Sequence, residues 1–84
     1  MGDLDRALAV ESSRIKIRQE KRRYGKIVTI LEGFDESLDL EPFARDLKRF
    51  VGAGGTVRER SVELQGDHLK AVRPWLEDRG FRLA

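Results

Sequence analysis

Two extended patterns separated by a short basic stretch constrain this chain more than any other feature. Residues 14–18 read R-I-K-I-R, a strict apolar/charged alternation that suits a half-buried strand with Ile15 and Ile17 on its covered face. Residues 26–32 read K-I-V-T-I-L-E, rich in β-branched side chains that pack well on a pleated surface. The residues between them, EKRRYG, leave room only for a hairpin loop, and Gly25 accepts the positive φ that such a return needs. A tight hairpin near the start commits the chain to a largely antiparallel sheet.

The remaining residues extend that sheet and cover it. Leu40, Phe43, Ala44, Leu47, Phe50 and Val51 form one apolar stripe at helical spacing, with Asp39 placed as N-cap, Pro42 in the first turn and Gly52 at the stop. After Gly54-Gly55 a short strand is predicted around residues 56–58, with a tight return at Glu59-Arg60 and a further strand over 61–65. Asp67 is expected to cap a second helix that ends at Gly80 and gathers Leu69, Val72, Trp75 and Leu76 on one side. Pro74 inside that helix deletes a backbone hydrogen bond, at about 3 kcal/mol in a helix interior, and predicts a kink. Residues 81–83 alternate and predict a short edge strand. The fold class is α+β: a two-layer α/β plait, β-β-α-β-β-α-(β), with both helices on one face of a mostly antiparallel sheet. Eighty-four residues allow one domain with one modest core, taken here as 13–84 after a flexible tail over 1–12.

The chain holds no cysteine, which removes disulfides, thiolate zinc sites and a cysteine nucleophile. No apolar run approaches the ~20 residues a membrane-spanning helix needs, and a cytoplasmic protein is expected. The only histidine, His68, follows Asp67, but no serine or cysteine completes a catalytic arrangement, so a structural role is expected and an enzyme is not. The glycines of GAGGTV follow a helix and precede a strand, the reverse of a dinucleotide-binding loop, and read as a helix stop. No metal-ligand spacing and no cofactor motif occurs.

Charge is the informative quantity once it is divided along the chain. Residues 1–13 carry −2, residues 14–26 carry +6 and residues 27–84 carry −2, for a total of +2. The excess positive charge therefore sits in one thirteen-residue block, and such a block attracts polyanions even on a nearly neutral molecule. Lys21, Arg22 and Arg23 run consecutively beside Tyr24, combining phosphate-pairing side chains with an aromatic plane. Nucleic-acid contact is one reading of this loop; an edge guarded by charge against aggregation is the other.

Three motifs then stand in order: RRYGKIVTILEGFD (22–35), GGTV (54–57) and VELQGDH (62–68), closing with GF at 80–81. Together they resemble the translation initiation factor 1 family, the SUI-type domain, over about residues 14–83. The resemblance implies an α/β plait that binds small-subunit ribosomal RNA near the P site and supports accurate selection of start codon and initiator tRNA. By motif match the contact residues are Arg22, Arg23, Tyr24, Gly25 and Lys26, and Lys21 joins them as part of the same basic run. Arg18, Arg45, Lys48, Arg49, Arg58 and Arg60 are secondary candidates facing RNA or tRNA. The implied partners are the small-subunit RNA and the vicinity of mRNA and initiator tRNA, with other initiation factors as further candidates; a monomer with no membrane partner is expected. Two departures are visible. Archaeal members often carry a cysteine-containing N-terminal segment, so any zinc tied to it is expected to be absent here, and Pro74 stands where the family has an ordinary helix former.

Replacing Arg22 and Arg23 by alanine is expected at this level to lower subunit affinity and leave thermal stability nearly unchanged. The alternative function is a SUI-type protein–protein or general RNA-binding module, including a bacterial stress-related relative. In that reading the open sheet, or an exposed side of Trp75, docks a partner.

Overall fold

A computed structural model describes Leu8, Val10 and residues 13–84. The tail expected over 1–12 lies outside the described residues except for Leu8 and Val10, which are helical. The elements are β1 (Arg14–Lys21), a 3-10 turn (Arg23–Gly25), β2 (Ile27–Glu32), α1 (Leu40–Val51), β3 (Gly55–Arg58), β4 (Ser61–Gln65), α2 (Leu69–Asp78) and β5 (Arg82–Leu83). They form one five-stranded sheet in the order β3-β4-β2-β1-β5. All neighbours are antiparallel except β1 and β5, which run parallel. The α+β plait expected from the sequence is the fold observed.

Strand register decides what each sheet face carries. Ile17 pairs with Leu31, Leu31 with Val62, and Val62 with Val57, so one face is a continuous apolar layer. Leu40, Ala44 and Leu47 of α1 and Val72, Trp75 and Leu76 of α2 are buried against it. An aromatic cluster closes the gap between the helices. Phe43 lies 5.0 Å from Phe34, 5.4 Å from Phe81 and 5.5 Å from Trp75, all edge to face. Val10 packs at the margin of this core.

α1 follows its sequence signals closely. Asp39 accepts a hydrogen bond from the Glu41 N–H, and Gly52 takes the left-handed conformation at φ 69°, with its N–H on the Lys48 carbonyl. α2 holds Pro74 within it and departs from its signals at its start. Helix runs unbroken from Leu69 to Asp78, with Pro74 on the exposed side, where water can satisfy the Lys70 carbonyl left without its donor. The residue at the N-cap is His68 rather than Asp67, and its side chain makes no capping bond. Asp67, one residue earlier, accepts from the Leu69 N–H at 3.5 Å and also from the Gln19 amide of β1. The His68 N–H donates to the hydroxyl of buried Thr29, which itself donates to the Gly66 carbonyl at 2.7 Å.

One glycine closes the sheet to the loop after it. Gly33 has φ +97°, and a Cβ on it would stand 2.0 Å from the Arg14 carbonyl oxygen. The close approach lets the Arg14 N–H reach the Gly33 carbonyl at 3.1 Å, and next to it the Asp35 N–H donates to buried Ser13 at 2.9 Å.

Candidate nucleic-acid interface

β1 runs three residues further than its alternating pattern, so Gln19, Glu20 and Lys21 belong to the ladder and only residues 22–26 form the return. Lys21 pairs with Ile27, and the Arg22 N–H donates to the Lys26 carbonyl at 2.6 Å. The Gly25 N–H then bonds the Arg22 carbonyl at 3.1 Å, leaving Arg23 and Tyr24 as the central residues of the turn. Gly25 has the expected positive φ, 74°. Tyr24 also lies in the left-handed region, at φ 65° and ψ 25°. A non-glycine residue there costs about 1–2 kcal/mol, and Tyr24 recovers nothing from packing because it is 89% exposed. Arg23, Gly25 and Lys26 are exposed as well. Lys21, Arg23 and Lys26 form no ion pair with any of the described residues.

The arginines flanking the tip behave differently. On the sheet face away from the helices, Arg22 donates to Glu63 through both terminal nitrogens, at 3.0 and 3.2 Å, and to Glu20 at 3.3 Å. Arg18 donates to Glu20 and, at 3.1 Å, to Glu32. Arg58 reaches Glu63 at 4.0 Å. This lattice lies over Val28 and Ile30, which are 9% and 1% exposed although neither α1 nor α2 packs on that face. The long arginine stems supply the cover while their heads pair with carboxylates. The Arg22 alanine substitution is therefore expected to cost stability, where the sequence alone suggested a nearly neutral change. The pairing was not legible because Arg22 and Glu63 are 41 residues apart and meet only through strand register.

The lattice also sets an acid limit. Hydrogen bonding and charge from Arg18, with a further bond from Arg22, hold the Glu20 carboxyl below its ordinary 4.5. Asp35 is held below 3.8 by the Ser37 hydroxyl and N–H. Carboxyls depressed in the folded state add stability that is complete above the unfolded value and is lost as pH falls through the folded one. Thermal midpoints are therefore expected to hold above about pH 5 and to fall progressively below about pH 4. Glu20→Gln flattens part of that decline, and a wild-type midpoint equal at about pH 6 and pH 3 contradicts it.

The secondary candidates divide between the two ends of the sheet. The Gly66 N–H bonds the Ile27 carbonyl and the Gln65 N–H bonds the Gly54 carbonyl, so the segment after α1 sits at the same end as the 22–26 turn. Lys48 and Arg49 lie in the last turn of α1, toward that end, with Arg45 one turn earlier. Arg58 and Arg60 bracket the β3–β4 return at the opposite end. Arg60 donates there to the Asp35 and Leu38 carbonyls and so fastens the loop before α1. Glu59, at φ 56°, is the second left-handed residue that residue type did not reveal. Trp75 is only 6% exposed, beneath Phe50 and the Arg79 guanidinium, which lies 3.6 Å from the ring centroid. It is not the docking surface expected of it. His68 bonds the Gln65 carbonyl at 2.7 Å, in keeping with a structural role. Among the described residues no cluster of His, Cys, Asp or Glu is placed to hold a metal ion, and no helix is long and apolar enough to cross a membrane.

The fold is a two-layer α+β plait with an exposed basic and aromatic turn at one end of its sheet. Among proteins of this fold the chain belongs to the translation initiation factor SUI1 family, whose model matches residues 11–82. It is 51% identical over 76 residues to a protein translation factor SUI1 homolog of Thermoplasma volcanium, covering 88% of this chain and 76% of that protein. The homolog of Methanocaldococcus jannaschii is 49% identical over 75 residues, covering 88% of this chain and 73% of its own. That of Hyperthermus butylicus is 46% identical over 80 residues, covering 94% and 78%.

Proposed function

We propose that this protein acts in translation initiation by binding the small ribosomal subunit near the P site, where it supports accurate selection of start codon and initiator tRNA. Residues 13–84 are read as a single SUI-type domain for this purpose. The observation that carries the proposal is Tyr24, an almost fully exposed aromatic held in strained backbone between Arg23 and Lys26. Strain at a residue that packs against nothing serves something outside the fold. Stacking on an unpaired base is the use to which an aromatic flanked by cations is best suited.

Arg23 and Lys26 supply phosphate contacts, Gly25 completes the turn, and Lys21 adds charge at its root. Lys48, Arg49 and Arg45 extend the positive surface at the same end. The mechanism is binding rather than catalysis. The protein is expected to co-sediment with small subunits at low salt and to dissociate as salt rises, with a log–log slope of about −0.7 to −0.9 for each phosphate neutralised. A footprint of the bound protein on small-subunit RNA locates the site. Salt-insensitive binding to a protein partner, without a footprint, would replace this reading with that of a protein–protein module.

A further inference from the structure

We infer that Arg22 is not one of the nucleic-acid contacts but a strut, and that Glu63 on β4 is the positioning residue that aims the 22–26 turn through it. The inference rests on the RNA-binding role proposed above and assigns different work to two neighbouring arginines that sequence alone treats alike. Arg22 stands at the root of the turn, where its own N–H closes the return on Lys26. Its guanidinium is already occupied: both terminal nitrogens engage Glu63, and one of them also engages Glu20. A planar fork on a carboxylate fixes direction as well as distance.

Glu63 is well suited to be the fixed end of that strut. Its side chain is 11% exposed and stands on a strand flanked on both sides, by β2 through Ile30 and by β3 through Thr56. Arg58 approaches the same carboxylate at 4.0 Å. A hairpin tip two residues beyond its last ladder pair would otherwise sway about its root. The Arg22–Glu63 fork ties that root to β4, on the far side of β2 from β1, and leaves Arg23, Tyr24 and Lys26 as the groups presented.

Salt dependence separates a strut from a contact. Arg23→Ala is expected to make the log–log salt slope of subunit binding shallower by about 0.7 to 0.9, the share of one phosphate. Arg22→Ala is expected to leave that slope unchanged while weakening binding, because fewer molecules present the tip correctly; if about one in ten does so, the apparent Kd rises about tenfold. Glu63→Gln is the sharper test. It removes a negative charge near a polyanion-binding turn, so a purely electrostatic role for this region requires tighter binding. The strut requires weaker binding, by about 3- to 10-fold, with the slope unchanged.

Amide hydrogen exchange and 15N relaxation at residues 23–26 give a readout that needs no ribosome. Glu63→Gln is expected to speed exchange and increase motion there while the ladder residues of β2 and β4 keep their protection. A shallower slope for Arg22→Ala, undiminished binding by Glu63→Gln, or an unchanged tip in that variant each overturns the inference. Failure of the RNA-binding reading looks different: Arg23→Ala then binds as wild type, while the exchange measurement still decides whether Glu63 holds the turn.

Discussion

Gly33→Ala is expected to remove most of the folding stability of this protein. The new Cβ would meet the Arg14 carbonyl oxygen at 2.0 Å, and backbone cannot yield there without parting β1 from the end of β2. Two hydrogen bonds go with it, Arg14 to Gly33 and Asp35 to the buried Ser13 hydroxyl. A loss of about 3–5 kcal/mol belongs to the rare severe class of single substitutions. It is comparable to the low end of what an 84-residue domain has, about 4–13 kcal/mol at 0.05–0.15 kcal/mol per residue, where a chain with one modest core is expected to lie. Gly52→Ala is the control. Gly52 also has positive φ, yet nothing lies within 4 Å of its Cβ position, so only the conformational cost of about 1 kcal/mol applies. Urea unfolding of the two variants checks the difference; equal losses would mean that the contact with Arg14 does not govern.

The largest functional effect is expected from replacing Arg23, Tyr24 and Lys26 together by alanine. Loss of two phosphate contacts makes the salt slope shallower by about 1.4 to 1.8, and loss of one aromatic–base stack costs about 1–3 kcal/mol. Subunit affinity at low salt is then expected to fall at least a hundredfold, with the thermal midpoint essentially unchanged because none of the three side chains is buried or paired among the described residues. Tyr24→Gly sharpens the point by separating the two signs. Relief of the left-handed strain is expected to raise stability by about 0.5–1 kcal/mol while binding falls. If Tyr24→Gly keeps full affinity, the exposed ring has no part in recognition.

Where the determinants are local, the fold could be read from the sequence. Asp39, the stripe from Leu40 to Val51 and Gly52 lie within a few turns of one another, and α1 forms as they indicate. The β2 run and the β3–β4 pair were likewise visible in side-chain type. Gln19 and Glu20 could be read as strand-end residues; Lys21 could not, because it opens the basic run, and it stays in the ladder because β2 pairs with it. Asp67 was read as a cap from its neighbours alone; it does accept from the Leu69 N–H, but the same oxygen also holds Gln19 of β1, a partner no local pattern shows. The candidate site divides in the same way. Its basic, aromatic composition was plain, but the occupation of Arg22 by Glu63 depends on a register linking distant segments. The left-handed backbone of Tyr24 and Glu59 carries no signature in residue type.

The bond from the Arg22 N–H to the Lys26 carbonyl has an evolutionary side. It ends the strand ladder, so the sheet places no demand on the identity or number of the residues beyond it. Lengthening such a loop is cheap, about 0.6 kcal/mol for each doubling. Selection on the tip can therefore proceed almost independently of selection on the core. A lineage can exchange, recharge or extend the tip while inheriting the same sheet, helices and strut, so changes there are expected to cost the fold little.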